Sequence, residues 1–202
     1  MIDHAWTRER IILNTPWFES HGARKDGYLG VGLLYFALPY ILCARKCVCL
    51  GSGGGFVPRL MVEAQRLLKR LGLIQVVDVV LVDAGDGGTS GEHPKWNEQF
   101  WQNYPEVKLI RGLTDEVKDQ LDSINYLHVD ADHSYQHVLS DLQNYGVKMV
   151  GKWAITVHDT DQQLPGIESW NAVLDWIDQT RYGVVNFRVG AGTALIMPKE
   201  GV

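Results

Sequence analysis

From residue 47 onward the chain alternates short apolar runs with longer segments of helical period, and this alternation constrains the fold more than any other feature. Cys47 to Leu50 is an apolar run closed by glycines, the pattern of a buried strand. Val57 to Leu71 follows with Leu60, Met61, Ala64, Leu67, Leu68 and Leu71 on one helical face, Pro58 suited to the first turn and Gly72 to the stop. The same reading predicts strands over Gln75 to Val82, Val107 to Arg111, Tyr126 to Val129 and Trp153 to Val157. Between and after them it predicts helices over Glu92 to Tyr104, Thr114 to Leu121 (Thr114 as N-cap), Tyr135 to Tyr145 and Ile167 to Thr180. Val184 to Val189 and Thr193 to Met197 close the chain as two strands joined by Gly190-Ala191-Gly192. Strands separated by helices run parallel with helices on both faces. The last connection is too short for a crossover, so the final pair runs antiparallel. The expected fold is therefore α/β: a three-layer sandwich around a seven-stranded, mostly parallel sheet with a reversed C-terminal hairpin.

At 202 residues the chain reads as one domain over 1–202, with 1–27 as a polar lead-in that covers the site. The uncharged stretch from Leu29 to Ala44 is shorter than the roughly 20 residues of a membrane span and contains Gly30, Gly32 and Pro39, so it reads as a buried helix leading into the first strand. A net charge of -5 without a basic stripe argues against nucleic acid and against an anionic membrane surface as partners. The opening residues Met1-Ile2-Asp3-His4-Ala5-Trp6 lack the basic region and apolar core of a secretory leader, and the expectation is a cytoplasmic protein. Cys43, Cys47 and Cys49 have no distant partner; they are expected to be buried free thiols, with Cys47 and Cys49 on opposite faces of one strand. A homo-oligomer is compatible with the sequence, which does not specify one.

In a parallel sheet, ligands bind beyond the carboxyl ends of the strands. After the first strand stands Gly51-Ser52-Gly53-Gly54-Gly55-Phe56. Glycines there let the backbone approach a ligand and take positive φ, and the following helix offers free N–H groups. The dinucleotide fingerprint G-x-G-x-x-G/A fails at Phe56, and no lysine completes a phosphate loop. Gly51, Gly53 and Gly55 satisfy G-x-G-x-G instead. This loop resembles the first motif of class I S-adenosylmethionine-dependent methyltransferases, whose Rossmann-like fold the element order matches over residues 28 to 198. The resemblance implies that Gly51, Ser52, Gly53 and Gly55 hold the cofactor. It also departs from the family, because Cys49 stands where an acidic residue often precedes the loop. Asp83, after the second strand, can accept both hydroxyls of a ribose, with Ala84 beside it. Leu113 and Thr114 lie where the family lines its adenine pocket.

Two further segments follow adjacent central strands: Asp130-Ala131-Asp132-His133-Ser134-Tyr135 and His158-Asp159-Thr160-Asp161. So many acids at one sheet end call for compensation, which a hard divalent cation supplies. With Ser140-Asp141-Leu142, Pro165-Gly166-Ile167 and Trp170, these segments resemble sugar and macrolide O-methyltransferases and the cephalosporin hydroxylase-like group. That resemblance implies magnesium on Asp130 and Asp159, cofactor contacts from Asp130 and Ala131, and a general base at Asp132 or His133. The third metal position departs from the family, being Thr160 with Asp161 one step on. The function implied is methyl transfer from S-adenosylmethionine to a hydroxyl of a small-molecule acceptor, for which Trp6, Trp17, Trp96 and Trp101 are candidate pocket residues. Two alternatives stand beside it: a cofactor-binding relative without transfer, and a nicotinamide-dependent oxidoreductase, which Phe56 argues against.

Overall fold

The computed structural model describes residues 4–13, 15, 17–52, 54–84, 98–161, 164–178, 180 and 182–199. A short helix α1 (His4–Thr7) runs into a widened π-type turn (Arg8–Ile12), and a 3-10 turn (Gly30–Leu33) leads into α2 (Leu34–Ile41). Strand and helix then alternate: β1 (Cys47–Leu50), α3 (Phe56–Arg70), β2 (Val79–Asp83), α4 (Glu98–Asn103) and β3 (Val107–Arg111). There follow α5 (Thr114–Val117), β4 (Ile124–Val129), α6 (Tyr135–Gly146), β5 (Met149–His158), α7 (Ser169–Asp178), β6 (Tyr182–Phe187) and β7 (Thr193–Pro198).

The seven strands form one sheet in the order β3-β2-β1-β4-β5-β7-β6. β1 to β5 pair in parallel, and β7 runs antiparallel to both β5 and β6. The expected α/β architecture is borne out, including the reversed C-terminal hairpin. β1 and β4 are neighbours at the centre, where the strand order turns back, so the segments after them meet at one crevice.

Two hydrophobic layers hold the sheet. On one face Cys47, Cys49, Leu81 and Tyr126 pack with Leu60, Met61 and Ala64 of α3 and with Tyr35 of α2. On the other face Val48, Leu50, Val82, Leu127 and Val129 pack with Val138 and Leu142 of α6 and Val173 and Trp176 of α7. Truncating any of these buried leucines to alanine costs about 2–5 kcal/mol.

Several boundaries differ from those read in the sequence, and tertiary pairing explains them. β2 begins at Val79 because β1 begins at Cys47, its register partner; the residue before it, Asp78, gives its backbone N–H to the Gln65 side chain. β4 and β5 are longer than expected because Ile124 and Met149 already pair across an irregularity. β6 lies two residues earlier, facing β7 from Tyr182 to Phe187. The stretch 29–44 forms a regular helix only from Leu34, after the glycine-containing 3-10 turn. Thr114 is the first helical residue rather than the cap; Leu113 precedes it, donating its N–H to Glu116 Oε2 at 3.3 Å. Leu71 is exposed rather than in the apolar face. Residues two apart on a strand share a face, so Cys47 and Cys49 face the same layer, not opposite ones. Both are buried free thiols, whereas Cys43 is exposed. The expected helix start at Glu92 and Trp96 lie outside the described residues. No helix of the described residues is long and apolar enough to cross a membrane.

Candidate active site

The glycine loop is shaped by close backbone approach. Gly51 has φ +67, and a Cβ there would run into the Asp130 carbonyl and Ala131 of the neighbouring strand end. Its N–H donates to Val82 O, and the Asp130 N–H donates to Leu50 O, each at 2.8 Å, which joins the ends of β1, β2 and β4. Gly55 has φ +81 and caps α3, where a Cβ would meet Phe100 and the Arg59 guanidinium. Arg59 is buried under the loop, donating to Gly54 O at 2.6 Å and lying over the Phe100 ring. Burial pulls its guanidinium down to about 10. The Ser52 hydroxyl is buried without a hydrogen-bond partner among the described residues. Gly53 lies outside them. Asp83 ends β2, its carbonyl accepting the Gly112 N–H at 3.1 Å, and Ala84 is exposed beside it. Leu113 and Thr114 follow β3, at the edge of the sheet; the Thr114 carbonyl accepts the Tyr145 hydroxyl at 2.7 Å.

On the other side of the crevice lies a cluster of carboxylates and imidazoles. Asp130 follows β4, and Asp159 follows β5 with φ +55, a conformation L-residues rarely take outside functional or turn positions. The next residues hold it there: Thr160 Oγ1 donates to Asn186 Oδ1 at 2.7 Å, and the Asp161 N–H donates to Ala191 O at 2.9 Å. His133 Nε2 lies 2.9 Å from Asp159 Oδ2 and 3.4 Å from Asp130 Oδ1. His158 Nδ1 lies 3.1 Å from Asp130 Oδ1 and 3.3 Å from Asp159 Oδ2. Behind them His128 reaches Thr156 at 2.9 Å, and His21 reaches the Tyr35 hydroxyl at 3.0 Å.

The four histidines divide electrostatically. Burial draws His133 and His158 downward, but the carboxylates of Asp130 and Asp159 outweigh it and push both up to about 10. Burial works against ionisation of the two carboxylates, yet the imidazoles hold Asp130 well below the usual carboxylate range and Asp159 down at about 2. For His21 and His128, burial dominates and keeps both imidazoles below their ordinary value.

The structure thus brings Asp130, Asp159 and His133 together, with Ala131 at the strand end. Asp132 is directed elsewhere: its Oδ1 accepts the Ser134 N–H at 2.7 Å and lies 3.5 Å from His137, at the start of α6. Three of the clustered histidines carried no assigned role in the sequence reading. His158 was visible beside Asp159. His128 stands two positions before Asp130, on the same strand face, a period-two signal that marks it. His21 has no such signal; only the fold carries it to the site. Of the tryptophans, Trp6 and Trp101 pack against the core and Trp17 is exposed.

A seven-stranded sheet with a reversed hairpin, a glycine loop after β1 and acids after β2, β4 and β5 defines a methyltransferase of class I. The chain belongs to the family described as methyltransferase domain, whose model matches residues 48–160. The reading of the sequence as a class I S-adenosylmethionine-dependent methyltransferase is borne out. A search of curated proteins finds no match. Among solved structures the chain is similar to the SAH-bound methyltransferase PaMTH1 of Podospora anserina (13% identity, TM-score 0.64, covering 97% of this chain and 86% of that one). It is also similar to an O-methyltransferase from Bacillus cereus in complex with SAH (13% identity, TM-score 0.61, 98% and 93% covered). A third is TomG, an O-methyltransferase from Streptomyces achromogenes involved in tomaymycin synthesis, in complex with SAM (11% identity, TM-score 0.58, 98% and 100% covered). At these identities the likeness is one of fold.

Proposed function

We propose that the protein transfers the methyl group of S-adenosylmethionine to a hydroxyl of a small molecule, such as a sugar or another natural product. The observation that carries this reading is the His133 imidazole held against Asp159 and Asp130, across the crevice from the glycine loop. The donor's fit rests on the loop: glycines at positions where a Cβ would collide, and a buried Ser52 hydroxyl left without a partner among the described residues. When bound, S-adenosylmethionine supplies an electrophilic methyl group. Gly51, Gly53 and Gly55 admit it close to the backbone, Asp83 and Ala84 take its ribose, Leu113 and Thr114 its base, and Asp130 and Ala131 flank it. Transfer of that methyl group to the acceptor oxygen would leave the hydroxyl proton to the protein. His133 takes it. Its Nε2 faces the carboxylates at ion-pair distance, so Nδ1 is the nitrogen that accepts, in the manner of a carboxylate-supported histidine base. Asp132 is less suited, being tied to the start of α6.

The resemblance also implied magnesium at Asp130 and Asp159. Magnesium selects an octahedron of oxygens and water. Here the groups against both carboxylates are imidazoles, and the third oxygen, on Thr160, is turned to Asn186. This donor set does not suit magnesium, and no step is routed through it. The test is isotopic methyl transfer from S-adenosylmethionine to a panel of catechols, sugars and macrolides. Transfer to a hydroxyl supports the reading. Cofactor binding without turnover across the whole panel favours the non-catalytic relative instead.

A further inference from the structure

We propose that His21, Asp130 and His158 form a binding site for a first-row transition-metal dication of the iron(II)-to-zinc class. One donor atom from each of the three lies within 4.8 Å of the others, and a second such group, Asp130, His133 and Asp159, adjoins it through the shared Asp130. A dication about 2.1 Å from each of three ligands holds them about 3.4 Å apart in tetrahedral geometry, so the cluster closes by up to about 1.4 Å on binding.

Three observations show a built site. The first is how His21 is delivered, across more than a hundred residues of sequence. The Ala191 N–H donates to Ser20 O at 2.7 Å, and the Gly32 N–H to His21 O at 3.3 Å. Gly22, Gly30 and Gly190 pack so tightly around this strap that a Cβ at any of them would collide. The second is orientation. His21 Nδ1 is engaged by the Tyr35 hydroxyl at 3.0 Å, which in turn meets Thr193 Oγ1 at 3.1 Å, while the His21 ring stacks on Phe56 at 5.0 Å. Fixing one ring nitrogen by an outer partner presents the other to a metal, the arrangement found around metal-bound histidines. The third is incompleteness. His158 has its Nδ1 on the carboxylates, but its Nε2 is buried without a hydrogen-bond partner among the described residues, although its side chain is only 4% exposed. Asp159 Oδ1 is likewise buried and unpartnered there. Buried polar atoms left so cost about 1–3 kcal/mol each; the cluster's own hydrogen bonds leave it incomplete, and an ion would enter between His158 Nδ1 and Asp130, which face each other at 3.1 Å.

The donor chemistry decides the metal. Imidazole nitrogens suit iron, cobalt, nickel, copper and zinc, whereas magnesium and calcium take oxygens. Two imidazoles and a carboxylate at one end of a sheet match the former. The inference concerns binding alone and stands whether or not methyl transfer is the reaction.

The experiment uses the full chain stripped with chelator. Calorimetric titration with cobalt(II) and zinc(II) is expected to show one ion per chain, bound at least 100-fold more tightly than magnesium. His21→Gln and His158→Gln, checked by circular dichroism, are each expected to weaken cobalt(II) binding by about tenfold or more. Cobalt(II)-loaded wild-type protein is expected to show paramagnetically shifted imidazole N–H resonances from at least two histidines, a readout that needs no variant to fold. Equal affinity for magnesium and zinc, unchanged cobalt affinity in the folded His21 variant, or fewer than two shifted imidazole signals would overturn the proposal.

Discussion

The two walls of the crevice are built by different means. The glycine loop after β1 is made of backbone: its shape follows from Gly51 and Gly55 at positive φ and from close contact with the end of β4. The opposite wall is made of side chains drawn from four places: the lead-in (His21), β4 and the turn after it (His128, Asp130, His133), and the end of β5 (His158, Asp159). The first wall owes its shape to the exclusion of side chains at Gly51 and Gly55 and tolerates no change in size there. The second is charged and largely buried, with His133 one-third exposed, and depends on which partners neutralise one another. Binding and proton transfer are therefore expected to respond separately to mutation.

The largest effect should come from the side-chain wall. His133→Ala is expected to lower the rate of methyl transfer by about 10²–10⁴-fold, while affinity for S-adenosylhomocysteine stays within about threefold. Single-turnover kinetics beside calorimetry checks this; a parallel loss of affinity would make His133 a binding residue and return the base to Asp132. Because the carboxylates push His133 up to about 10, the rate of the wild-type protein should keep rising well above neutrality, not level off near 6.5, and His133→Ala should remove that limb.

Next comes the backbone wall. Gly51→Val places a branched side chain at φ +67 against the Asp130 carbonyl, and should abolish measurable S-adenosylhomocysteine binding and destabilise the fold by at least about 2 kcal/mol. Denaturant melts and calorimetry read both. Retained affinity would mean that the loop is not the cofactor's cradle.

The smallest effect lies behind the site. Asp141 on α6 is buried, and that burial raises its carboxyl to about 7 although the Thr114 hydroxyl partly offsets it. A carboxyl raised above its unfolded value binds its proton more tightly when folded, so stability falls as pH climbs from about 4 to about 7. Asp141→Asn should flatten that slope and raise the melting temperature by a few degrees above pH 7, as thermal scans across pH would show.

The backbone wall was legible in the sequence because glycine, strand and helix signals are local. The alternation from Cys47 fixed strand number, order of elements and the position of the loop, and Asp83, Asp130 and Asp159 followed from their places after strands. Boundaries such as Val79 were not legible, since pairing with Cys47 decides where β2 starts. The side-chain wall was legible only where its residues adjoin strand ends. His21 reaches Asp130 through the packing of the lead-in on the hairpin turn, a long-range contact without a local pattern. The pairing of His133 rather than Asp132 with the acids depends on the turn into α6, where Asp132 bonds to Ser134.

The central claim is that the crevice takes S-adenosylmethionine, and titration of S-adenosylhomocysteine and NADH into the wild-type chain and Asp83→Ala tests it most directly. S-adenosylhomocysteine should bind one to one, lose about 10–100-fold in affinity when Asp83 is removed, and meet no competition from NADH. Saturable binding of NADH with none of S-adenosylhomocysteine would contradict it.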